Sequence, residues 1–242
     1  MPAEGGGPFR EPARHYLGRE LELFADAHCW RAYWGSVVAP FLGARVLEVG
    51  AGIGSTALAL WRPGIEDWLA VEPDPELAAR FRERTVSLQP RPRVHEGTLA
   101  SLAGEGEFAT ALYIDVLEHL ADDAEEVARA ARVLRAGGHL VALSPGHPWL
   151  YSPFDKAIGH VRRYTREGLA ALVGRHCTVV KAVHLDSVGA LLSLGNRLLL
   201  RSAEPTRRQL AFWNGLCVPL SRLLDPLVLR RFGRSVLVVG RR

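Results

Sequence analysis

Several features that would assign the chain to a particular class of protein are missing from its 242 residues. Its three cysteines, Cys29, Cys177 and Cys217, lie far apart and form no Cys-x-x-Cys pair, which argues against a zinc ribbon and a disulfide framework. No apolar run reaches the roughly 18 residues that a transmembrane helix requires. Residues 1–12 lack the apolar core of a signal peptide. These absences predict a reduced protein that resides in the cytoplasm.

Lysine is almost absent as well. Lys156 and Lys181 are the only two lysines, so arginine supplies nearly all of the positive charge behind the formal net charge of +4. Because the arginines are dispersed and build no basic arm, we expect no nucleic-acid partner. Hydrophobic residues make up 48% of the chain, which is enough for a substantial core.

A regular alternation of apolar strands and amphipathic helices fills most of the chain. The segments predicted as strands are 45–50, 68–72, 93–96, 109–115, 139–144, 178–184 and 235–239. Helical patterns between them occupy 55–61, 75–86 and 122–134. This alternation indicates an α/β fold with a mostly parallel sheet and helices on both faces. Ligands of such folds bind beyond the carboxyl ends of the strands, so the functional residues are expected there.

The remaining segments elaborate a single domain, which we place at residues 15–242. Residues 1–14 are rich in glycine and proline and are predicted to be a disordered leader. An amphipathic helical pattern follows and ends near Trp34, so we expect residues 15–40 to form an N-terminal helical lid. Residues 187–232, between the last two strands, are strongly apolar and are predicted to form a helical insertion over the ligand site.

A glycine-rich loop follows the first strand. It reads Glu48-x-Gly50-x-Gly52-x-Gly54 and opens a helix, whose free N–H groups would face a ligand. The next strand ends in Glu72, whose carboxylate can accept hydrogen bonds from the two hydroxyls of a ribose. An anionic Glu48 would repel a pyrophosphate but suits a cationic amino group. This favours S-adenosylmethionine over a dinucleotide.

Four segments occur along the chain in a fixed order. They are the loop 48–54, Glu72-Pro73-Asp74, residues 111–120 (ALYIDVLEHL) and residues 134–138 (LRAGG). Together they resemble the motifs of class I, Rossmann-like S-adenosylmethionine-dependent methyltransferases, of the bacterial small-molecule kind (types 11 and 12). The resemblance implies a seven-stranded sheet of order 3-2-1-4-5-7-6 with an antiparallel last strand.

The resemblance also implies where the cofactor binds. The loop 48–54 would surround its methionine part, Glu72 would hold the ribose beside Pro73, and Asp115 would lie near the methyl donor. Thr98 stands where many members have an acidic residue that meets the adenine. The candidate cofactor-binding residues are Tyr16, Glu48, Gly50, Gly52, Gly54, Glu72, Pro73, Thr98, Leu99, Asp115 and Val116.

A polar loop, residues 144–164, follows the fifth strand and is the expected place for the methyl acceptor. A hydroxyl or ammonium acceptor must lose a proton, and His147 is the first candidate for the base, with His160 the second. The alternative is that both histidines hydrogen-bond the loop and help to fold it. Arg162 and Arg163 could bind a carboxylate or phosphate of the acceptor, or pair with carboxylates of their own loop.

The helical segments add candidates for acceptor binding. Trp30 and Tyr33 could cover the site, and packing of the same rings on the sheet is an equally good account. The insertion could roof the acceptor, or its apolar surface could rest on a membrane with arginines at the head groups. No metal is expected, because Asp122 and Asp123 begin a helix whose dipole favours them. The candidate substrate-binding residues are Trp30, Tyr33, Tyr151, Arg162, Arg163, Asn196 and Trp213.

The sequence thus predicts methyl transfer from S-adenosylmethionine to a small molecule, for instance of specialised metabolism, with S-adenosylhomocysteine as the product. Oxygen is the first choice of acceptor atom and nitrogen the second. Three rival hypotheses are a lipid-linked or membrane-associated acceptor, a reaction at the cofactor site without methyl transfer, and a binding module without catalysis.

Overall fold

Seven strands form one sheet in the computed structural model, which describes residues 24–102, 107–195 and 206–242. The strand order is β3-β2-β1-β4-β5-β7-β6. Neighbouring strands are parallel from β3 to β5, and β7 is antiparallel to both of its neighbours. The predicted order and the antiparallel last strand are confirmed. The strands are β1 Arg45–Val49, β2 Asp67–Glu72, β3 Arg93–Glu96, β4 Phe108–Ile114, β5 Leu134–Pro145, β6 Thr178–Leu185 and β7 Ser235–Arg241.

Helices connect most of the strands. None of those that the structure describes is long and apolar enough to cross a membrane. A π-helical turn, Trp213–Cys217, joins α8 to α9. The helices are α1 His28–Val38, α2 Ser55–Leu60, α3 Pro75–Arg84, α4 Asp123–Val133, α5 Pro153–Ala157, α6 Arg166–Gly174, α7 Ser187–Gly195, α8 Arg207–Phe212 and α9 Val218–Leu227.

Alternating side chains of the strands divide the core into two layers. On β1, Val46 belongs to the same buried cluster as Trp34 of α1 and Phe81 of α3, whereas Leu47 shares a cluster with Val127 of α4. The N-terminal helices and the insertion therefore cover one face, and α4 and α6 cover the other. Burial of each large apolar side chain contributes about 1.5–3 kcal/mol, so both layers stabilise the sheet whose strand ends carry the site.

The N-terminal helix differs from the prediction. One continuous helix ending near Trp34 was expected, but the chain leaves the helical conformation at Ala27, and α1 runs from His28 to Val38. The guanidinium of Arg31 donates hydrogen bonds to the carbonyls of Phe24 and Ala25, which precede the break. These carbonyls are thereby satisfied without a continuous helix. The predicted cofactor contact Tyr16 and the leader 1–14 lie outside the described residues.

The fifth strand is longer than the sequence pattern suggests. It begins at Leu134, directly after α4, and not at His139. The register with β4 shifts between the pairs Phe108↔Leu134 and Thr110↔His139, so the extra residues form a bulge. Gly137 has φ 73° in this bulge, a conformation that glycine adopts without strain.

The insertion is helical, as predicted, where the structure describes it. α7 docks on α9, since the Val188 N–H donates to Ser221 Oγ at 3.0 Å and the Ser187 N–H donates to Asp225 Oδ1 at 3.0 Å. Trp30 and Trp213, with ring centroids 5.9 Å apart, join α1 to the π-helical turn. Asn196 lies outside the described residues, so its predicted substrate contact stays a prediction.

Candidate functional site

The glycine-rich loop adopts a conformation that side chains tolerate poorly. Gly50, Gly52 and Gly54 have φ angles of 67°, 53° and 80°. A Cβ on Gly50 would lie 2.7 Å from Val116 Cγ2, and one on Gly54 would lie 2.9 Å from Thr85 Cγ2. The loop therefore needs glycine at these positions, and it leads directly into the N-terminus of α2.

Glu72 links this loop to the turn after β2. Its carboxylate is 5% exposed and accepts hydrogen bonds from the Gly52 N–H (2.7 Å) and the Asp74 N–H (3.0 Å), one on each oxygen. Burial raises the pKa of the carboxyl, and the two backbone donors oppose this shift. Each oxygen keeps a second lone pair, so Glu72 can shape the loop and still accept a ligand hydroxyl.

Glu48 occupies a different environment from the one that its predicted role requires. Its side chain is 2% exposed and accepts a hydrogen bond from Trp68 Nε1 at 2.9 Å. Burial raises the pKa of Glu48 to about 8, so the carboxyl is mostly protonated at neutral pH. The argument that an anionic Glu48 selects a cationic ligand is therefore not supported. A contact between Glu48 and the cofactor stays a prediction.

Asp115 and Val116 lie next to the glycine loop, at the end of β4. Asp115 has φ 55°, an uncommon value for a non-glycine residue, and its N–H donates to the Leu143 carbonyl at 2.8 Å. The side chain is exposed, yet protein surrounds it on most sides, and this enclosure raises the pKa of its carboxyl. The charges of His160 and Arg234 oppose the rise.

The predicted adenine contacts follow β3. Thr98 and the buried Leu99 begin the 3-10 turn Leu99–Ser101, in which the Thr98 N–H donates to Ser101 Oγ at 3.1 Å. The Gly97 N–H donates to the Glu72 carbonyl at 3.1 Å, which holds this turn beside the end of β2. Pro73 is exposed there. The structure thus brings these candidates to the same edge of the sheet as the glycine loop.

Asp155, which the sequence interpretation did not single out, organises the loop after β5. It is 1% exposed, accepts a hydrogen bond from His160 Nδ1 at 3.0 Å, and binds Arg163 through two hydrogen bonds of 2.8 and 2.9 Å. Burial alone would raise its pKa, but His160 and Arg163 hold the pKa of this carboxyl well below its usual range. A Ser-Pro-x-Asp capping pattern over 152–155 was the available signal in the sequence.

The other polar side chains of this loop bind the protein itself. Arg162 pairs with Asp123 at 2.7 Å and donates to the Ala121 carbonyl, and the Tyr151 hydroxyl donates to the His160 carbonyl at 2.7 Å. Arg163 therefore pairs with a carboxylate of its own loop, which was the alternative to acceptor binding, whereas the partner of Arg162 is Asp123 of α4, outside the loop.

The two candidate bases have different surroundings. His147 stacks on His184, with centroids 4.9 Å apart and planes within 3°, and burial lowers the pKa of His147. His160 lies 3.8 Å from a carboxylate oxygen of Glu118, and its charge acts on Asp115. Which of the two histidines acts as the base stays a prediction.

His160 also belongs to a group with metal-ligand chemistry. The side-chain donor atoms of Glu118, His119 and His160 all lie within 4.8 Å of one another, the one such group among the described residues. Burial lowers the pKa of His119 to about 4, so this imidazole is neutral, as a ligand must be. The absence of a metal stays a prediction.

The predicted lid residues pack tightly. Tyr33 is 1% exposed and its hydroxyl donates to Asp225 Oδ2 at 2.6 Å, while Trp213 Nε1 donates to Asp186 Oδ2 at 2.8 Å. The backbone N–H of Trp30 donates to Asn214 Oδ1 at 3.1 Å. The packing interpretation of Trp30 and Tyr33 is therefore the one that the structure shows.

Arg234 is a site residue that sequence reasoning missed. It precedes β7, and its guanidinium carbon lies 4.9 Å from the centroid of the Trp213 ring. Burial lowers its pKa, and the charges of Asp186, Asp115 and Asp155 oppose this shift. No carboxylate of the described residues lies within 4 Å of the guanidinium. A single arginine between a loop and a last strand gives no sequence signal of this position.

A groove of about 250 Å³ lies along the outer side of α2, apart from the strand ends. Its polar lining comes from His28, Arg31, Ser55 and Arg84, none of which was a candidate. Arg84 donates a hydrogen bond to the Ile53 carbonyl at 3.1 Å and so supports the glycine loop from the side of this groove.

Comparisons with known proteins agree with this geometry. Residues 47–142 match the family model described as a methyltransferase domain. The sheet order and the matched segment are those of the class I, Rossmann-like methyltransferase fold. The matched region runs from β1 to β5 and includes the glycine loop, Glu72 and Asp115. A search of the curated proteins finds no match.

Several solved structures share this fold. A geranyl diphosphate methyltransferase in complex with S-adenosylmethionine is 16% identical, with a TM-score of 0.64 over 96% of this chain and 93% of the other. An S-adenosylmethionine-dependent methyltransferase from Mesorhizobium loti is 18% identical, with a TM-score of 0.60 over 87% and 98%. The [4+2]-cyclase SpnF is 16% identical, with a TM-score of 0.60 over 87% and 81%.

Proposed function

We propose that this methyltransferase transfers a methyl group from S-adenosylmethionine to an oxygen, or secondarily a nitrogen, of a small-molecule acceptor. One observation carries the proposal. The three left-handed glycines of loop 50–54 and the Glu72 carboxylate meet at the carboxyl edge of the sheet, beside Asp115. Backbone N–H groups, a hydrogen-bond acceptor and a carboxylate side chain at one edge of the sheet support this proposal.

The residues present fit the cofactor. Gly50, Gly52 and Gly54 present backbone without Cβ atoms, Glu72 retains lone pairs for ribose hydroxyls, and Asp115 offers an exposed carboxylate to a cationic group. When bound, S-adenosylmethionine supplies an activated methyl group on a sulfonium. The chain's own part is to position the acceptor in line with that group and to exclude competing contacts.

His160 is the proposed acceptor of the proton that the substrate loses. Asp155 accepts the hydrogen bond of Nδ1, which orients the ring and leaves Nε2 as the basic nitrogen. His147, stacked between His184 and neighbouring rings, is assigned to the folding of the loop.

Arg234 is proposed to bind an anionic group of the acceptor. Arg162 and Arg163 are paired with Asp123 and Asp155, whereas the guanidinium of Arg234 rests on Trp213 without a carboxylate partner among the described residues. A carboxylate or phosphate would satisfy its donors in a partly buried position, where charge-assisted hydrogen bonds are strong.

The function is tested with methyl-labelled S-adenosylmethionine and cell extracts fractionated by anion exchange. We expect labelled product in a retained, anionic fraction, together with release of S-adenosylhomocysteine. Arg234→Ala should lower labelling by about tenfold or more without changing affinity for S-adenosylhomocysteine. Arg175→Ala, at an exposed position, is the matched control.

Labelling confined to unretained fractions would contradict the role of Arg234 and leave the transfer reaction in place. Turnover of a substrate without release of S-adenosylhomocysteine would contradict methyl transfer and favour a reaction of the non-methylating kind.

A further inference from the structure

The insertion exposes an unusual amount of apolar surface. Leu223 and Leu227 are 71% and 77% exposed, and most of their apolar neighbours on α7 to α9 are at least two-fifths exposed. We call this surface the apolar face. Its members are Leu191, Leu192, Phe212, Leu216, Leu220, Leu223, Leu224, Leu227, Val228 and Leu229. Large exposed apolar patches on a folded protein mark a surface that binds something.

The apolar face is not needed to hold the insertion on the domain. The opposite side of α9 does that with Val218, Ser221 and Asp225, which are all buried. The exposed leucines Leu220, Leu223 and Leu227 follow helical spacing and form a second stripe. α9 thus holds the insertion on the domain through Val218, Ser221 and Asp225 and leaves an apolar stripe exposed on its other side.

In the described part of the insertion, the charged side chains near the apolar face are all arginines. Residues 187–195 and 206–232 contain five arginines and a single acid, Asp225. Asp225 is 0% exposed, and it accepts hydrogen bonds from the Tyr33 hydroxyl and from the N–H groups of Asp186 and Ser187. The arginines are Arg207, Arg208, Arg222, Arg230 and Arg231. The described part of the insertion therefore exposes leucine and arginine side chains, whereas its one acidic residue, Asp225, is buried.

We propose that the apolar face docks on an anionic membrane surface. Its leucines enter the boundary between head groups and acyl chains, and the arginines contact the phosphates. A second copy of the chain is the poorer occupant, because a twofold contact would set the same arginine-rimmed surface against itself. An anionic lipid surface complements both the apolar residues and the sign of the charge.

The apolar face is linked to the candidate functional site through Trp213. Trp213 follows Phe212 of the apolar face, and its ring carries the Arg234 guanidinium. An acceptor that resides in the membrane would thus approach the candidate functional site beside Arg234. This last step rests on the proposed function, whereas docking itself does not.

Vesicle co-sedimentation of the full chain tests the proposal. Vesicles of phosphatidylcholine are compared with vesicles that also contain phosphatidylglycerol, at low and high salt. We expect binding to the anionic vesicles that weakens with salt, and a loss of about tenfold or more in the double variant Leu223→Asp, Leu227→Asp. Val86→Asp replaces a residue that is 55% exposed on another surface and should bind like the parent protein.

The variant Arg222→Glu, Arg231→Glu separates the charge from the apolar contact. It should lower binding to anionic vesicles and keep the unfolding temperature of the parent protein, because both side chains are exposed. Equal binding by parent and leucine variant would overturn the proposal. A second result would also overturn it: the parent protein does not bind the vesicles but forms a dimer in light scattering, and the leucine variant is monomeric. Cofactor titration of the same samples reports separately on the proposed function.

Discussion

At the scale of single residues, the carboxyl of Glu48 shows how a motif residue can serve the fold. It sits at the end of β1, hydrogen-bonded to Trp68, with its pKa raised to about 8 by burial. In the unfolded chain the same group titrates near its ordinary value of 4.5. The folded state therefore holds a proton that the unfolded state has lost between these two values.

This difference in proton binding fixes the direction in which stability changes with pH. The stability that Glu48 contributes is fully present below about pH 4.5 and is lost as the pH rises through about 8. In Glu48→Gln the amide oxygen can still accept from Trp68 and no proton is exchanged. We expect urea unfolding of the parent protein to lose stability over this window relative to Glu48→Gln. Parallel pH profiles of the two proteins would contradict the assignment.

Asp155 carries the opposite kind of shift. Its pKa is held below the ordinary range by His160 and Arg163, so its contribution is present above about pH 4 and is lost as the pH falls. Asp155→Asn should destabilise the protein by about 3–5 kcal/mol at neutral pH, because Arg163 is left largely buried without its partner. Urea unfolding measures this. Glu167→Gln, which removes one partner of the exposed pair with Arg166, is the control and should change little.

At the scale of elements, the close contact between α6 and β7 makes a packing prediction. A Cβ on Gly240 would lie 2.5 Å from Val173 Cγ1 and 2.7 Å from Cys177 Cβ. Gly240→Ala should therefore cost about 1–3 kcal/mol, because the neighbours must move. In Gly174→Ala the new Cβ would meet Val179 at an ordinary 3.7 Å, so this variant is the matched control. Equal urea midpoints for the two variants would refute the argument.

The elements also show which features a sequence can predict. All seven strands were predicted, and β1, β2, β4 and β7 were the clearest because their apolar runs are buried on both faces. The start of β5 was missed, since the bulge at Gly137 depends on pairing with β4. The break at Ala27 before α1 was also missed; Arg31 binds the carbonyls on its far side through contacts that the apolar pattern does not reveal.

In the candidate site too, some residues could be predicted from the sequence and others could not. The glycine loop and Glu72 are local signals, and the structure brings them together as the motif implied. The partner of Arg163 and the position of Arg234 depend on contacts between distant segments, which spacing alone does not encode. Trp30 and Tyr33 could not be assigned from the sequence, because aromatic residues at helical spacing occur both in lids over a ligand and in the core.

At the scale of the whole molecule, the residues proposed to bind the cofactor and those proposed to bind the acceptor lie on different parts of the fold. The carboxyl edge of the sheet collects the glycine loop, Glu72 and Asp115 from elements that are fixed by two buried layers. The insertion on one face adds Trp213 and an exposed apolar surface edged by arginine. Cofactor binding can therefore be tested without reference to the acceptor.

Calorimetric titration with S-adenosylhomocysteine tests the central claim most directly. We expect the parent protein to bind, and Gly52→Val and Glu72→Ala each to lower the affinity by about tenfold or more, because valine is strained at φ 53° and loss of the carboxylate releases the loop. Gly215→Val and Glu76→Ala, at positions with open space or exposed to solvent, should bind like the parent. A folded parent protein that does not bind, or loop variants that bind as well as it does, would contradict the account.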